Sequence, residues 1–213
     1  MRRSTARRRP ESARWSPTRK LLASVAVLGA AASIAGLGTF ATFTSSTSAS
    51  HTVSSGTVTI ALGATGASTN RLTVGATAIA PGDTIQRSVD LINSGSLDLA
   101  SVTLTTTATT SSLLDTDTTN GLQMVIDKCS VAWTESGPPF TYTCGGTTSS
   151  VLTTRPVIGS ALALSNLSSL TSGTTDHLRV TLTLPSGAGN TLQNQSSTIS
   201  YAFTGTQRAA TNK

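Results

Sequence analysis

Asp176-His-Leu-Arg-Val-Thr-Leu-Thr-Leu184 alternates side-chain character from end to end and stops at Pro185. Leu178, Val180, Leu182 and Leu184 fall on one face, His177, Arg179, Thr181 and Thr183 on the other. A period of two is that of a strand with one buried face. Proline donates no N–H and so ends the ladder. Toward the C terminus, Ser197–Thr204 alternates again. Toward the N terminus, Thr84-Ile-Gln-Arg-Ser-Val-Asp-Leu-Ile92 does the same between two turns, Pro81-Gly82-Asp83 and Asn93-Ser94-Gly95. Further strand-like runs are Thr57–Leu62, Arg71–Ile79, Leu97–Thr107, Leu122–Trp133, Phe140–Cys144 and Ala161–Leu167. Val151–Leu170 mixes both periods and leaves room for a short helix or turn, and Gly145–Ser150 reads as a flexible loop. Short strands punctuated by turn residues predict an all-β, antiparallel β-sandwich. No linker divides it, so one domain is expected over residues 53–207, with a short tail at 208–213.

The formal charge of +6 is misleading, because eight of the 15 basic residues lie before residue 21 with only Glu11 among them. The remainder carries seven basic residues against eight acids, a net charge near −1. Nucleic-acid binding needs a basic patch that survives in the folded domain, and none is left. The basic block instead precedes an uncharged run from Leu21 to Phe43. A basic segment, an apolar segment and small residues at its end describe a secretory signal. Residues 1–20 are the basic region and 21–41 the hydrophobic helix, with cleavage between Ala41 and Thr42. Thr47-Ser48-Ala49 is a second candidate site, and the run is also long enough to be kept as a membrane anchor. Otherwise the membrane is met only through this segment before cleavage.

Two cysteines, Cys129 and Cys144, read as a disulfide in an exported chain, the alternative being two buried thiols. No cofactor, metal or catalytic residue is expected. The His-Glu-x-x-His pattern is absent, and the two histidines, His51 and His177, are too few for a zinc peptidase centre. His177 is expected on a solvent-facing strand side. Asp115-Thr-Asp117-Thr-Thr-Asn120-Gly121 misses calcium-loop spacing and is expected to be a polar hairpin tip. Trp133, Phe140 and Tyr142 flank the cysteines; Trp133 is expected to pack on the disulfide inside the sandwich, whereas exposed rings would fit a carbohydrate-binding adhesin.

Several segments resemble the TasA/camelysin family. These are Gly36-Leu-Gly-Thr-Phe-Ala-Thr-Phe43 with Ser54-Ser-Gly-Thr-Val-Thr-Ile60, Pro81-Gly-Asp-Thr-Ile85 leading to Leu91-Ile-Asn-Ser-Gly-Ser-Leu-Asp-Leu99, and Leu182-Thr-Leu-Pro185 with Gly189, Asn190 and Gln193. Their order and spacing cover most of residues 36–207. The resemblance implies a jelly-roll-like sandwich, cleavage by a SipW-type signal peptidase, and an extracellular-matrix or cell-surface location. It also implies self-association into biofilm-matrix fibres by donation of an N-terminal strand. Carried onto this chain, the donor is the extended arm Thr42, Phe43, Thr44, Ser45, Ser46, Thr47, Ser48, Ala49, Ser50, His51 and Thr52. The arm has no proline and can extend; its composition equally permits disorder. The camelysin branch implies the competing activity, a cell-surface metallo-endopeptidase.

Overall fold

Among the described residues ten strands form, and the long ones turn the apolar half of an alternating run inward. The computed structural model describes residues 55–211. β1 (Ile60–Leu62), β2 (Thr84–Asn93), β9 (Thr175–Thr183), β4 (Gln123–Cys129) and β7 (Thr148–Pro156) lie side by side in that order as one antiparallel sheet. β10 (Thr198–Gln207), β3 (Leu99–Thr110) and β8 (Gly159–Ala163) form a second. A small pair, β5 (Thr134–Ser136) with β6 (Thr141–Thr143), completes the set. The chain passes between the two large sheets at β2–β3, β3–β4, β7–β8, β8–β9 and β9–β10, as a jelly-roll-like sandwich does.

The core lies between the facing sides of the two large sheets. Val89, Leu91, Met124, Ile126, Leu178 and Val180 meet Val102, Leu104 and Leu162, all essentially without solvent. Ile199, Tyr201 and Phe203 of β10 pack on this core but stay partly open. Thr106 also points inward, and its hydroxyl donates to the Val157 carbonyl at 2.6 Å and accepts from Gly159 N–H at 2.9 Å, so no buried polar atom is stranded there. Asn93, fully buried, accepts from Gly95 N–H at 3.1 Å and donates to the Leu97 carbonyl at 3.2 Å, which closes the turn after β2.

Charge divides cleanly between the sheets. β3, β8 and β10 contain no Asp, Glu, Lys, Arg or His. The five-stranded sheet carries Arg87, Asp90, Asp127, Lys128, Arg155, Asp176, His177 and Arg179.

Three local expectations are corrected, and a fourth, for Val151–Leu170, is narrowed. Arg71–Ile79 is not a strand: Asn70 bridges Val89 and Arg71 N–H reaches the Ser88 carbonyl, but a turn from Arg71 to Val74 then carries the chain off the sheet edge. Small residues after Val74, with Ala78 at φ 55°, offer nothing to hold a ladder. Thr148–Ser150 is the start of β7 rather than a loop, because Cys129–Asp127 supply its partners. No helix forms in Val151–Leu170, which is taken up by strands and turns. Asp115–Gly121 is not a hairpin tip. Leu113–Thr116 makes one helical turn, α1, capped by Ser112 in a capping box with Asp115, and the following turn crosses from one sheet to the other.

Candidate assembly groove and the hairpin beside it

The two sheets part where β2 and β10 begin. An open cleft of about 1220 Å³ lies there, with Leu72, Ile79 and Ile85 on one wall, Ile199 and Tyr201 on the other, and Leu182 between. Burial pushes the Tyr201 hydroxyl up to about 12, against the opposing pull of Arg87, so the phenol stays neutral. Backbone exposure accompanies the cleft. β10 pairs with β3 along its length and with no second strand among the described residues. The first half of β2 pairs with β9 alone, since β1 meets β2 only at Leu91–Asn93. Edge strands are ordinarily blunted by charge or proline, and β10 has neither over ten residues.

The cleft opens toward the start of β2 and runs in as far as Leu62 of β1, which pairs with Leu91, whereas the described chain begins past the other end of β2. Thr57 N–H reaches Ser96 Oγ at 2.9 Å and the Thr57 carbonyl accepts from Ser96 N–H at 2.9 Å, just beyond the last residue of β2. Thr84, at the cleft, is the first residue of that ten-residue strand. At about 3.3 Å per residue the two ends are roughly 33 Å apart. The far end is shut: a Cβ on Gly205 of β10 would collide with Ile60 Cδ1 of β1.

The β5–β6 pair covers the outer side of the five-stranded sheet. Cys129 and Cys144 form a disulfide with Cα atoms 5.6 Å apart, tying the end of β4 to the residue after β6. Closing a loop of 15 residues restricts the unfolded chain by about 3 kcal/mol. Trp133 packs on this bridge, as its neighbours imply, but outside the main core, in a separate cluster with Cys129 and Tyr142. Its Nε1–H donates to the His177 carbonyl at 2.8 Å, and Arg179 Cζ sits 4.4 Å from its ring centroid while pairing with Asp127 at 3.1 Å. A cation over the indole is worth about 0.5–2 kcal/mol, and it takes the face on which a sugar would stack. Tyr142 is likewise buried.

The pair also grips the cleft wall. Glu135 of β5 accepts two bonds from Arg71, Nε at 2.9 Å and Nη2 at 2.6 Å, and a third from the Tyr142 hydroxyl at 2.9 Å. The Arg71 guanidinium, foremost, and burial against it, leave the Glu135 carboxyl below the usual carboxylate range. Phe140 lies between Arg71 and Arg87, whose Cζ atoms are 4.7 and 5.4 Å from its centroid. Arg87 in turn donates to the Val74 and Gly75 carbonyls at 2.6 and 2.7 Å. The wall 71–79 is therefore held by side chains where it lacks a ladder. Neither the cleft nor this clamp is anticipated by sequence; Arg71 and Glu135 are 64 residues apart.

Of the residues singled out by sequence, Ala41 and Thr42 at the cleavage site, the arm 42–52 and the signal segment lie outside the described residues. His177 lies on the outer side of β9, half-buried, with Nδ1 2.8 Å from Asp90 Oδ1. Asp117 is occupied by the backbone N–H groups of Asn120 and Thr119, each at 2.9 Å. Among the described residues, no group of three or more His, Cys, Asp or Glu side chains is placed to hold a metal ion.

Asp176 is the charged group most committed to the fold. It is 2% exposed and accepts from Ser169 N–H at 2.7 Å, Ser168 N–H at 2.9 Å and Lys128 Nζ at 3.0 Å. Burial pushes the carboxyl up, but the Ser169 and Ser168 N–H groups with Lys128 outweigh it and hold it below the usual value. A depressed carboxylate stabilises the fold above its unfolded pKa of about 3.9, and that contribution is lost as pH falls through the folded value. Asp176→Asn is expected to cost about 3 kcal/mol at pH 7, leaving Lys128 without its partner. The difference from the unaltered chain shrinks as pH falls below the carboxylate range, read by thermal unfolding at a series of pH values.

A family model described as camelysin metallo-endopeptidase matches residues 17–212. No curated protein matches the chain.

Proposed function

The chain belongs to the camelysin metallo-endopeptidase family, and from that premise we propose that it is an exported, non-enzymatic structural subunit that assembles into extracellular fibres. The arm 42–52 of one copy lies in the cleft of the next and pairs with an uncovered sheet margin. The observation that supports this reading is polarity: the cleft opens toward the start of β2, and the described chain begins past that strand's other end. A contact between two different patches of the same molecule, at opposite ends, does not close on itself and propagates as a filament. An extended peptide that adds to a sheet edge gains backbone hydrogen bonds, and its alternate side chains fill the groove. Eleven residues span roughly 36 Å when extended, close to the length of the ten-residue β10. Export is read from the signal-like residues 1–41, with a SipW-type signal peptidase exposing the arm by cutting after Ala41.

The family's name favours a second reading, a zinc-dependent endopeptidase. The described residues do not fit a metal centre. His177 is engaged with Asp90, the cysteines are joined, and no ligand group converges. The signal-like residues and the charge-free β10 edge support assembly instead. A photoreactive side chain placed at Thr47 tests the assembly reading, by capture of Ile199–Tyr201 of a neighbouring copy.

A further inference from the structure

We infer that the disulfide-anchored β5–β6 pair is a redox-controlled strap that sets the cleft wall 66–79, so that the cleft is competent only once Cys129 and Cys144 are joined. Its consequence for assembly rests on the reading of the cleft given above; the strap itself does not.

The wall has little to hold it from within. Segment 66–79 contains no strand. Its contacts with β2 are the bridge Asn70–Val89 and bonds either side of it. The Val74 and Gly75 carbonyls accept from the Arg87 guanidinium of β2. Arg71 bonds the Gly66 carbonyl and, through its remaining donors, Glu135. Glu135 is fixed by Tyr142, and Phe140 fills the space between the two guanidinium groups. Arg71 thus links the wall to residues 135–142, most of which are surface-exposed, with Gly137, Pro138 and Pro139 at the tip, while Leu72 and Ile79 pack on the main core.

That support is in turn tethered at few places. Two three-residue strands are a marginal structure on their own. What joins them to the sheet is Trp133 on Arg179 and the His177 carbonyl, Tyr142 N–H on Gln86 at 3.3 Å, and the covalent link from Cys129 to Cys144. Without the link, residues 144–146 are untethered: Thr143 keeps its pairing with Thr134, and the chain next meets the sheet at Thr147, whose carbonyl accepts from Ser130 N–H at 2.9 Å. The core cluster between the sheets shares no residue with this outer cluster, so loss of one need not dissolve the other.

The chemistry is thiol–disulfide exchange. Joining Cys129 to Cys144 passes two electrons and two protons to an oxidised disulfide donor, which leaves as a dithiol. A dithiol reductant runs the exchange backward. Before export, where thiols are kept reduced, the wall is loose and the cleft accepts no arm. After export the bridge forms and the cleft is set. A fibre subunit is thereby kept from growing inside the cell that makes it.

Hydrogen exchange read by mass spectrometry on the full secreted chain tests this, with and without dithiothreitol and in Glu135→Gln with the bridge intact. On reduction, amides of residues 66–79 exchange about tenfold faster or more while those of β2 and β9 keep their protection, since local opening draws on local contacts. Glu135→Gln gives the same pattern more weakly. Unchanged exchange in 66–79 after reduction overturns the strap, and so does release of the Leu178 and Val180 amides together with the wall, which would make the bridge a support of the whole domain. Filaments that form when oxidised and fail when reduced support the full proposal. A wall that loosens on reduction in a chain that never forms filaments upholds the strap and overturns the fibre reading.

Discussion

The chain that starts at residue 53 is expected to stay folded and to form no filaments under conditions where the chain that starts at residue 42 does. Folding survives because the core between the sheets is built by buried residues from Val89 to Leu192. Assembly fails because the arm supplies the pairing that joins one copy to the next. The β10 margin offers N–H and C=O groups that no second strand among the described residues pairs along Thr198–Gln207. Each backbone bond contributes a net of roughly 0.5–1.5 kcal/mol, and the ordering of the arm offsets much of that. Even a surviving net of about 4 kcal/mol is about a thousandfold in the concentration needed for growth. Electron microscopy and thermal unfolding of the two chains read both halves of the expectation. Filaments from the shortened chain would remove the arm from the account.

The second large effect is on stability. Leu104→Ala is expected to cost about 3–5 kcal/mol, because deleting a buried side chain loses transfer energy and leaves a cavity. Leu104 is 0% exposed and lies in the core between the two large sheets, paired in its own sheet with both Phe203 and Leu162. Domains of this kind are stable by only about 5–15 kcal/mol, so the loss is a large share of the whole. Thr204→Ala, an exposed position on the adjacent strand, should stay within about 0.5 kcal/mol. Urea unfolding of the two variants measures the contrast.

Sequence reading succeeds where a strand has one apolar face and a turn at each end. Thr84–Ile92, Asp176–Leu184 and Ser197–Thr204 all form strands within a few residues of the predicted bounds. It fails where pairing is imposed from outside. Thr148–Ser150 has no apolar residue to show its period, and it is a strand because β4 lies beside it. Arg71–Ile79 has the alternation but lacks side chains able to hold a ladder, and leaves the sheet at Val74. The disulfide was legible from two cysteines in an exported-looking chain. The position of Trp133 was half legible: its neighbour is the bridge, but the bridge lies on the outer side of a sheet. The cleft is not legible at all, since it is made by Leu72, Leu182 and Tyr201, which meet only through sheet order. The clamp of Arg71 on Glu135 is hidden for the same reason.

The central claim is that one copy's arm occupies the next copy's cleft, and cross-linking between differently labelled copies tests it most directly. Chains with heavy isotopes and a photoreactive side chain at Thr47 are mixed with light chains, assembled, illuminated and digested. The account predicts heavy arm peptides joined to light peptides containing Ile199 and Tyr201. Links confined to a single isotope label, or links that avoid these residues, would contradict it.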